Sequence, residues 1–134
     1  MLHVITCTER YNHILSLYSS LMNGFIEETK INSFYGSQPI SLMAESIVHI
    51  VEKRSDDQEF LYNLTAKLDG TRMLLFLHPL LNGNIVFIDR LMKFYEPIRP
   101  FKYNVNNVCL MDGEMYDHVF FVFDIIYYNG FICE

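Results

Sequence analysis

The stretch Leu64-Thr65-Ala66-Lys67-Leu68-Asp69-Gly70-Thr71-Arg72 runs an apolar lead-in into one lysine, an Asp-Gly turn and then an arginine five residues beyond the lysine. A lead-in of this kind reads as a strand, and Asp-Gly reverses a chain into an antiparallel partner. Lys67 therefore stands at a strand end, beside a tight turn and near a second positive charge. A neighbouring cation and partial burial both favour the neutral amine, and a neutral amine is a nucleophile. On these residues alone, an ordinary hairpin with a solvated lysine fits as well.

Outward from the turn, the pattern is one of strands. Residues 60–66 lead into the lysine and 73–77 leave the turn; Asn82-Gly83 predicts a hairpin and 84–89 the return. Pro97 and Pro100 mark a loop. Residues 108–111 read as a short strand ending at Asp112-Gly113-Glu114, and 119–128 as a long apolar strand interrupted by Asp124. Upstream, Ile14, Leu17, Tyr18, Leu21 and Met22 recur at helical intervals before Asn23-Gly24, which predicts a packing helix with no chemical role. Phe34-Tyr35-Gly36-Ser37-Gln38-Pro39 reads as a turn and extended segment, and Ser41 as the cap of a helix reaching about Lys53. Residues 54–59 form a polar connector. The expected class is α+β, mainly antiparallel sheet with packed helices.

A length of 134 residues allows one domain with a real core, and 51% hydrophobic against 19% charged residues excludes a disordered chain. No apolar run is long enough to span a bilayer and the start lacks a secretory pattern, so no membrane role and an intracellular setting are expected. Cys7, Cys109 and Cys133 are odd in number and widely spaced, and the five histidines are scattered, which predicts reduced thiols and no protein-borne metal site. The net charge of −6 argues against coating a long nucleic acid. Six basic and three acidic residues between positions 67 and 102 nevertheless leave that stretch at +3. Such a patch suits a small polyphosphate or one chain end, although surface fluctuation accounts for it equally well.

Three acids stand out. Asp112 and Glu114 flank a glycine, and Asp124 lies within an apolar run where a buried carboxylate would need a partner. Taken locally, the first two also fit a solvated Asp-Gly turn and the third a structural ion pair. Taken together, a strand-end lysine, an arginine, an Asp-Gly-Glu and an aromatic strand are the parts of a nucleotide-binding transferase. Glycine-rich phosphate loops of the P-loop or dinucleotide type are absent from the sequence.

These residues resemble the covalent nucleotidyltransferases, and among them the capping guanylyltransferases. Lys67-Leu68-Asp69-Gly70-Thr71-Arg72 is similar to their KxDGxR motif, Asp112-Gly113-Glu114 to DGE, and Phe121-Val122-Phe123-Asp124 to the following aromatic-Asp motif. Gly36-Ser37-Gln38-Pro39-Ile40-Ser41-Leu42 is similar to the GxQPVSL segment that sets capping enzymes apart from ligases, and Ile88-Asp89-Arg90 to their IDR strand. The resemblance implies that Lys67 attacks the α-phosphorus of GTP and passes GMP to the 5′-diphosphate end of RNA. It implies nucleotide-binding roles for Arg72, Glu114, Asp69 and Asp112, with Phe123 or Phe121 stacking on guanine, and magnesium or manganese accompanying GTP. The family's later lysine motifs and its OB-fold domain have no counterpart in residues 1–134. The expectation is thus a partial nucleotidyltransferase domain, with a second polypeptide as a possible source of the remainder. The nucleus is the implied setting for a cellular enzyme, and a cytoplasmic factory or virion for a large DNA virus. The alternatives are an ATP-dependent polynucleotide ligase fragment and an inactive nucleotide-binding module that needs a partner.

Overall fold

In the computed structural model, residues 1–23, 33–36, 43–45, 47–48, 69–99 and 106–133 are described. The chain divides into two compact units, one of Met1–Gly36 with Leu68–Glu134, the other Ser37–Lys67. In the second unit, 44–45 and 47–48 are helical, with the Ile47 N–H donating to the Met43 carbonyl at 3.1 Å. This lies within the helix expected after Ser41; Ser41 itself, the strand expected over 60–66, and Lys67 fall outside the described residues.

The first unit is α+β. Its elements are β1 (Leu2–Val4), α1 (Thr8–Met22), β2 (Thr71–Leu77), β3 (Val86–Ile88), β4 (Phe94–Pro97), β5 (Cys109–Tyr116), β6 (Val119–Tyr128) and β7 (Phe131–Ile132). The strands form one sheet in the order β1-β4-β3-β2-β5-β6-β7, and every neighbouring pair is antiparallel. Helix α1 forms because Ile14, Tyr18 and Met22 repeat at one turn and stack on a single face, with Glu9 in the first turn favouring the helix dipole. That face closes over Leu74, Phe76, Ile88, Phe94 and Leu110, and the whole cluster is withdrawn from water. Tyr18 meets Phe76 edge-on with ring centroids 6.0 Å apart, and Tyr11 lies over Phe94 at 4.8 Å.

Three features differ from the expectations. Strands β1 and β4 replace a purely helical start and a proline loop: β4 ends at Pro97, and β1 pairs with it through Leu2↔Pro97, His3↔Glu96 and Val4↔Tyr95. Short strands of mixed composition carry no period long enough to recognise. The return from β2 contains a 3-10 turn at Pro79–Leu81 before Asn82 and Gly83 adopt positive φ, so the hairpin is longer than an Asn-Gly reversal alone. Finally, Asp112-Gly113-Glu114 does not end a strand; it lies in the middle of β5.

Asp89, from the Ile-Asp-Arg segment, organises the β3–β4 turn. Its carboxylate accepts from the Leu91 N–H at 2.8 Å, the Lys93 N–H at 2.9 Å and the Tyr95 hydroxyl at 2.9 Å. Met92 completes that turn at φ 58°.

Candidate functional site

The site grows from the seam between β2 and β5. Their register sets Arg72 opposite Glu114 and Leu74 opposite Asp112. Alternation then places Arg72 and Asp112 diagonally on one face, within reach of each other. The Arg72 guanidinium grips both oxygens of Asp112: Nε donates to Oδ1 at 3.0 Å, and a terminal nitrogen makes a second, shorter bond to Oδ2. Both side chains are largely buried, 13% and 4% exposed, so this is a desolvated, bidentate pair. The hydrogen bonds that Arg72 donates to Asp112 raise its pKa above the ordinary arginine value, outweighing burial, which works in the opposite direction.

Two rings frame the guanidinium. Its central carbon lies 5.7 Å from the Phe34 ring centre and 5.7 Å from that of Phe123, both within cation–π range. Phe123 reaches this place through a β-bulge. The β5–β6 register passes from Asp112↔Asp124 to Gly113↔Val122 and so skips Phe123. A second slip between Leu110↔Tyr127 and Met111↔Ile125 skips Ile126, which joins the core. Bulges re-aim side chains in this way. Simple alternation, which sets Phe121 and Phe123 on one face, therefore does not carry through; Phe121 stands in register with Glu114, and Phe123 stands by Arg72. Phe123 is 58% exposed and keeps ring surface open to a planar ligand.

Glu114 holds the turn that precedes β2. Its Oε1 accepts the Gly70 N–H at 2.8 Å, which ties the bend at Gly70 to the middle of β5. The approach is close enough to demand glycine: a Cβ on Gly70 would lie 2.4 Å from the Met115 carbonyl oxygen, and backbone cannot yield that far. Gly36 meets the same cluster from the other side. A Cβ there would lie 2.9 Å from a terminal nitrogen of Arg72 and 3.0 Å from Asp112 Oδ2.

The structure thus brings together Arg72, Asp112, Glu114, Phe123 and the backbone of the Asp69-Gly70 turn. Asp124 is exposed and not buried in an apolar strand, because β6 itself is open to solvent along most of its length. Lys67 lies outside the described residues. Among the described residues, no three side chains of His, Cys, Asp and Glu converge to hold a metal ion, and Asp112 and Glu114 are engaged by Arg72 and Gly70.

Two residues that the sequence left without a chemical role belong to this cluster. Phe34 packs on Arg72, and Tyr18 of α1 clasps the backbone on both sides of Phe34. The Tyr18 hydroxyl donates to the Ser33 carbonyl at 2.9 Å and accepts the Tyr35 N–H at 3.1 Å. A tyrosine in the apolar stripe of a helix was the available signal, since a buried hydroxyl requires partners.

No curated protein matches the chain, and no solved structure does. A family profile does: mRNA capping enzyme, catalytic domain, matches residues 4–133, nearly the whole sequence. The five elements of the resemblance, in order from Gly36 to Asp124, lie within that span. The chain belongs to the family of mRNA capping enzyme catalytic domains.

Proposed function

We propose that the chain is an mRNA guanylyltransferase whose nucleophile is Lys67. The amine nitrogen attacks the α-phosphorus of GTP, a P–N bond forms, the bond to the bridging oxygen breaks, and pyrophosphate departs. A terminal phosphate oxygen at the 5′-diphosphate end of RNA then attacks the same phosphorus. The P–N bond breaks, the amine is restored, and the guanylate is left on the RNA through a new phosphoanhydride.

The observation that carries this reading is the tie between the turn after Lys67 and the β5 strand. In a member of the capping family, Gly70, three residues beyond the lysine, is hydrogen-bonded to Glu114. Turn and strand are then held in one geometry before substrate arrives, which is what in-line attack requires. Arg72, kept charged and oriented by Asp112, supplies a fixed cation for the ribose or phosphate region, and Phe123 offers its exposed ring to the base. A divalent ion accompanying GTP, magnesium or manganese, would offset the triphosphate charge.

The test is incubation of the purified chain with α-labelled GTP and a divalent ion, followed by denaturing electrophoresis. Label that survives denaturation and disappears in Lys67→Ala supports the reading. Label displaced by unlabelled ATP more readily than by GTP turns it toward a ligase. A reading in which the chain works with a second polypeptide is favoured by the exposed Val119, Phe121, Val122, Phe131 and Ile132. Size-exclusion chromatography that returns a clean monomer weakens it.

A further inference from the structure

Arg72 is long, and its charge is useful to a nucleotide only if the guanidinium plane is fixed. Asp112 fixes one edge of that plane through two hydrogen bonds. Ring packing against the guanidinium adds to what those two bonds fix. The guanidinium carbon lies over the Phe34 ring, 5.7 Å from its centre, and over the Phe123 ring at the same distance. The two rings are not equivalent. Phe123 is more than half exposed and sits where a strand bulges, whereas Phe34 is partly buried against the core.

Phe34 belongs to no regular element, so something else must hold it. That is the Tyr18 hydroxyl, fully buried, which bonds the residue before Phe34 and the residue after it. The clasp constrains the backbone at both ends of one residue, and α1 anchors the clasp in the core through Ile14, Tyr18 and Met22. Gly36 then leaves the chain close to the ion pair, where a Cβ would press on Arg72, Asp112 and Phe34 together. A continuous line of contact runs from the helix through Tyr18, Phe34 and Arg72 to Asp112.

We propose that Phe34, clasped by Tyr18, is a positioning residue for the reaction: it orients the Arg72 guanidinium for the nucleotide and touches no reacting atom. The proposal rests on the guanylyltransferase reading for its substrate, and on the Phe34–Arg72 contact for its mechanism. An aromatic face attracts the guanidinium through its quadrupole, and an aliphatic side chain of similar bulk does not. The aromatic character of residue 34, more than its volume, is therefore what Arg72 senses.

The experiment compares Phe34→Leu, Phe34→Tyr and Tyr18→Phe with the wild-type chain by two readouts. The first is lysine-linked GMP formation as a function of GTP concentration. Phe34→Leu raises the half-saturating GTP concentration by about three- to tenfold, the range that loss of such a contact corresponds to. Tyr18→Phe raises it in the same direction, and Phe34→Tyr restores the wild-type value. A purely structural role lowers only the amount of active protein and leaves half-saturation unchanged, which would overturn the proposal. The second readout needs no activity: solvent exchange of the Arg72 Nε–H, followed by nitrogen-edited NMR. It is slow in wild type and Phe34→Tyr, and several-fold faster in Phe34→Leu and Tyr18→Phe. Equal exchange in all four chains contradicts the proposal whatever the labelling shows. Wild-type protein that fails to label while the exchange pattern holds counts against the guanylyltransferase reading and leaves Phe34 as the residue that orients Arg72.

Discussion

The two flanks of the sheet contain the same kinds of residues and meet opposite fates. On the β3–β4 flank, Phe94, Ile88 and Val86 are completely buried beside α1. On the β6–β7 flank, Phe131 is 73% exposed, Phe123 58% and Val119 52%. Apolar composition alone does not say which flank is core; the presence of a helix above the sheet does. Between the two flanks, on β2 and β5, lie Arg72, Asp112 and Glu114, on the same face as the buried Leu74. At that position low dielectric on one side strengthens the ion pair, and the other side is open to a ligand.

The sharpest way to break this comparison is to truncate one phenylalanine on each flank. Phe94→Ala removes a fully buried ring and is expected to cost about 3–5 kcal/mol in denaturant unfolding. Phe131→Ala should change stability by no more than about 0.5 kcal/mol. Similar costs at the two positions would mean that the flanks are not different in kind.

Of comparable size is the effect of removing the carboxylate from the seam. Asp112→Ala leaves the Arg72 charge buried without its bidentate partner and should cost about 3–5 kcal/mol, read from the same unfolding curves. Loss of lysine-linked GMP is expected with it, because Arg72 is no longer held. Gly70→Ala comes next. Its Cβ would meet the Met115 carbonyl at 2.4 Å, so the turn must withdraw from β5 and the bond to Glu114 must stretch or break. A loss of about 1–3 kcal/mol is expected, with labelling reduced more than the stability loss explains.

A further effect concerns pH. Burial, the largest cause, pushes the Tyr18 phenol up to about 12, against an ordinary value of 10.0. The folded chain therefore keeps this proton after the unfolded chain has lost it. The contribution is complete below pH 10 and falls as pH rises toward about 12. Tyr18→Phe should be less stable near neutrality by about 1–3 kcal/mol, since the Ser33 carbonyl and Tyr35 N–H lose their partner. Its unfolding free energy should also fall less steeply between pH 10 and 12, measured by denaturant titration at each pH.

Much of this was legible in the residues. The α1 stripe has a clear helical period, and the apolar run over 119–128 is long enough to read as β6. The order of short motifs pointed to the capping family, and residues 4–133 match it. What was not legible has specific causes. Strands β1 and β4 are three and four residues long, too short to show alternation. The β-bulge at Phe123 breaks the period by which the faces of β6 would be assigned. Asp112 read as a turn residue because Asp-Gly usually is one; only the β2–β5 register shows it opposite Leu74 and in the grip of Arg72. The roles of Phe34 and Tyr18 depend on contacts across 38 and 15 positions of sequence, which no local pattern encodes.

The central claim is that the turn bound to Glu114 carries a lysine that bonds covalently to GMP. The most direct measurement is mass spectrometry of the protein after incubation with GTP and magnesium or manganese, with proteolytic mapping of the adduct. The account predicts one added guanylate, located on Lys67 and absent from Lys67→Ala. An adduct on another residue, or an unmodified chain that nonetheless guanylylates RNA, would contradict it.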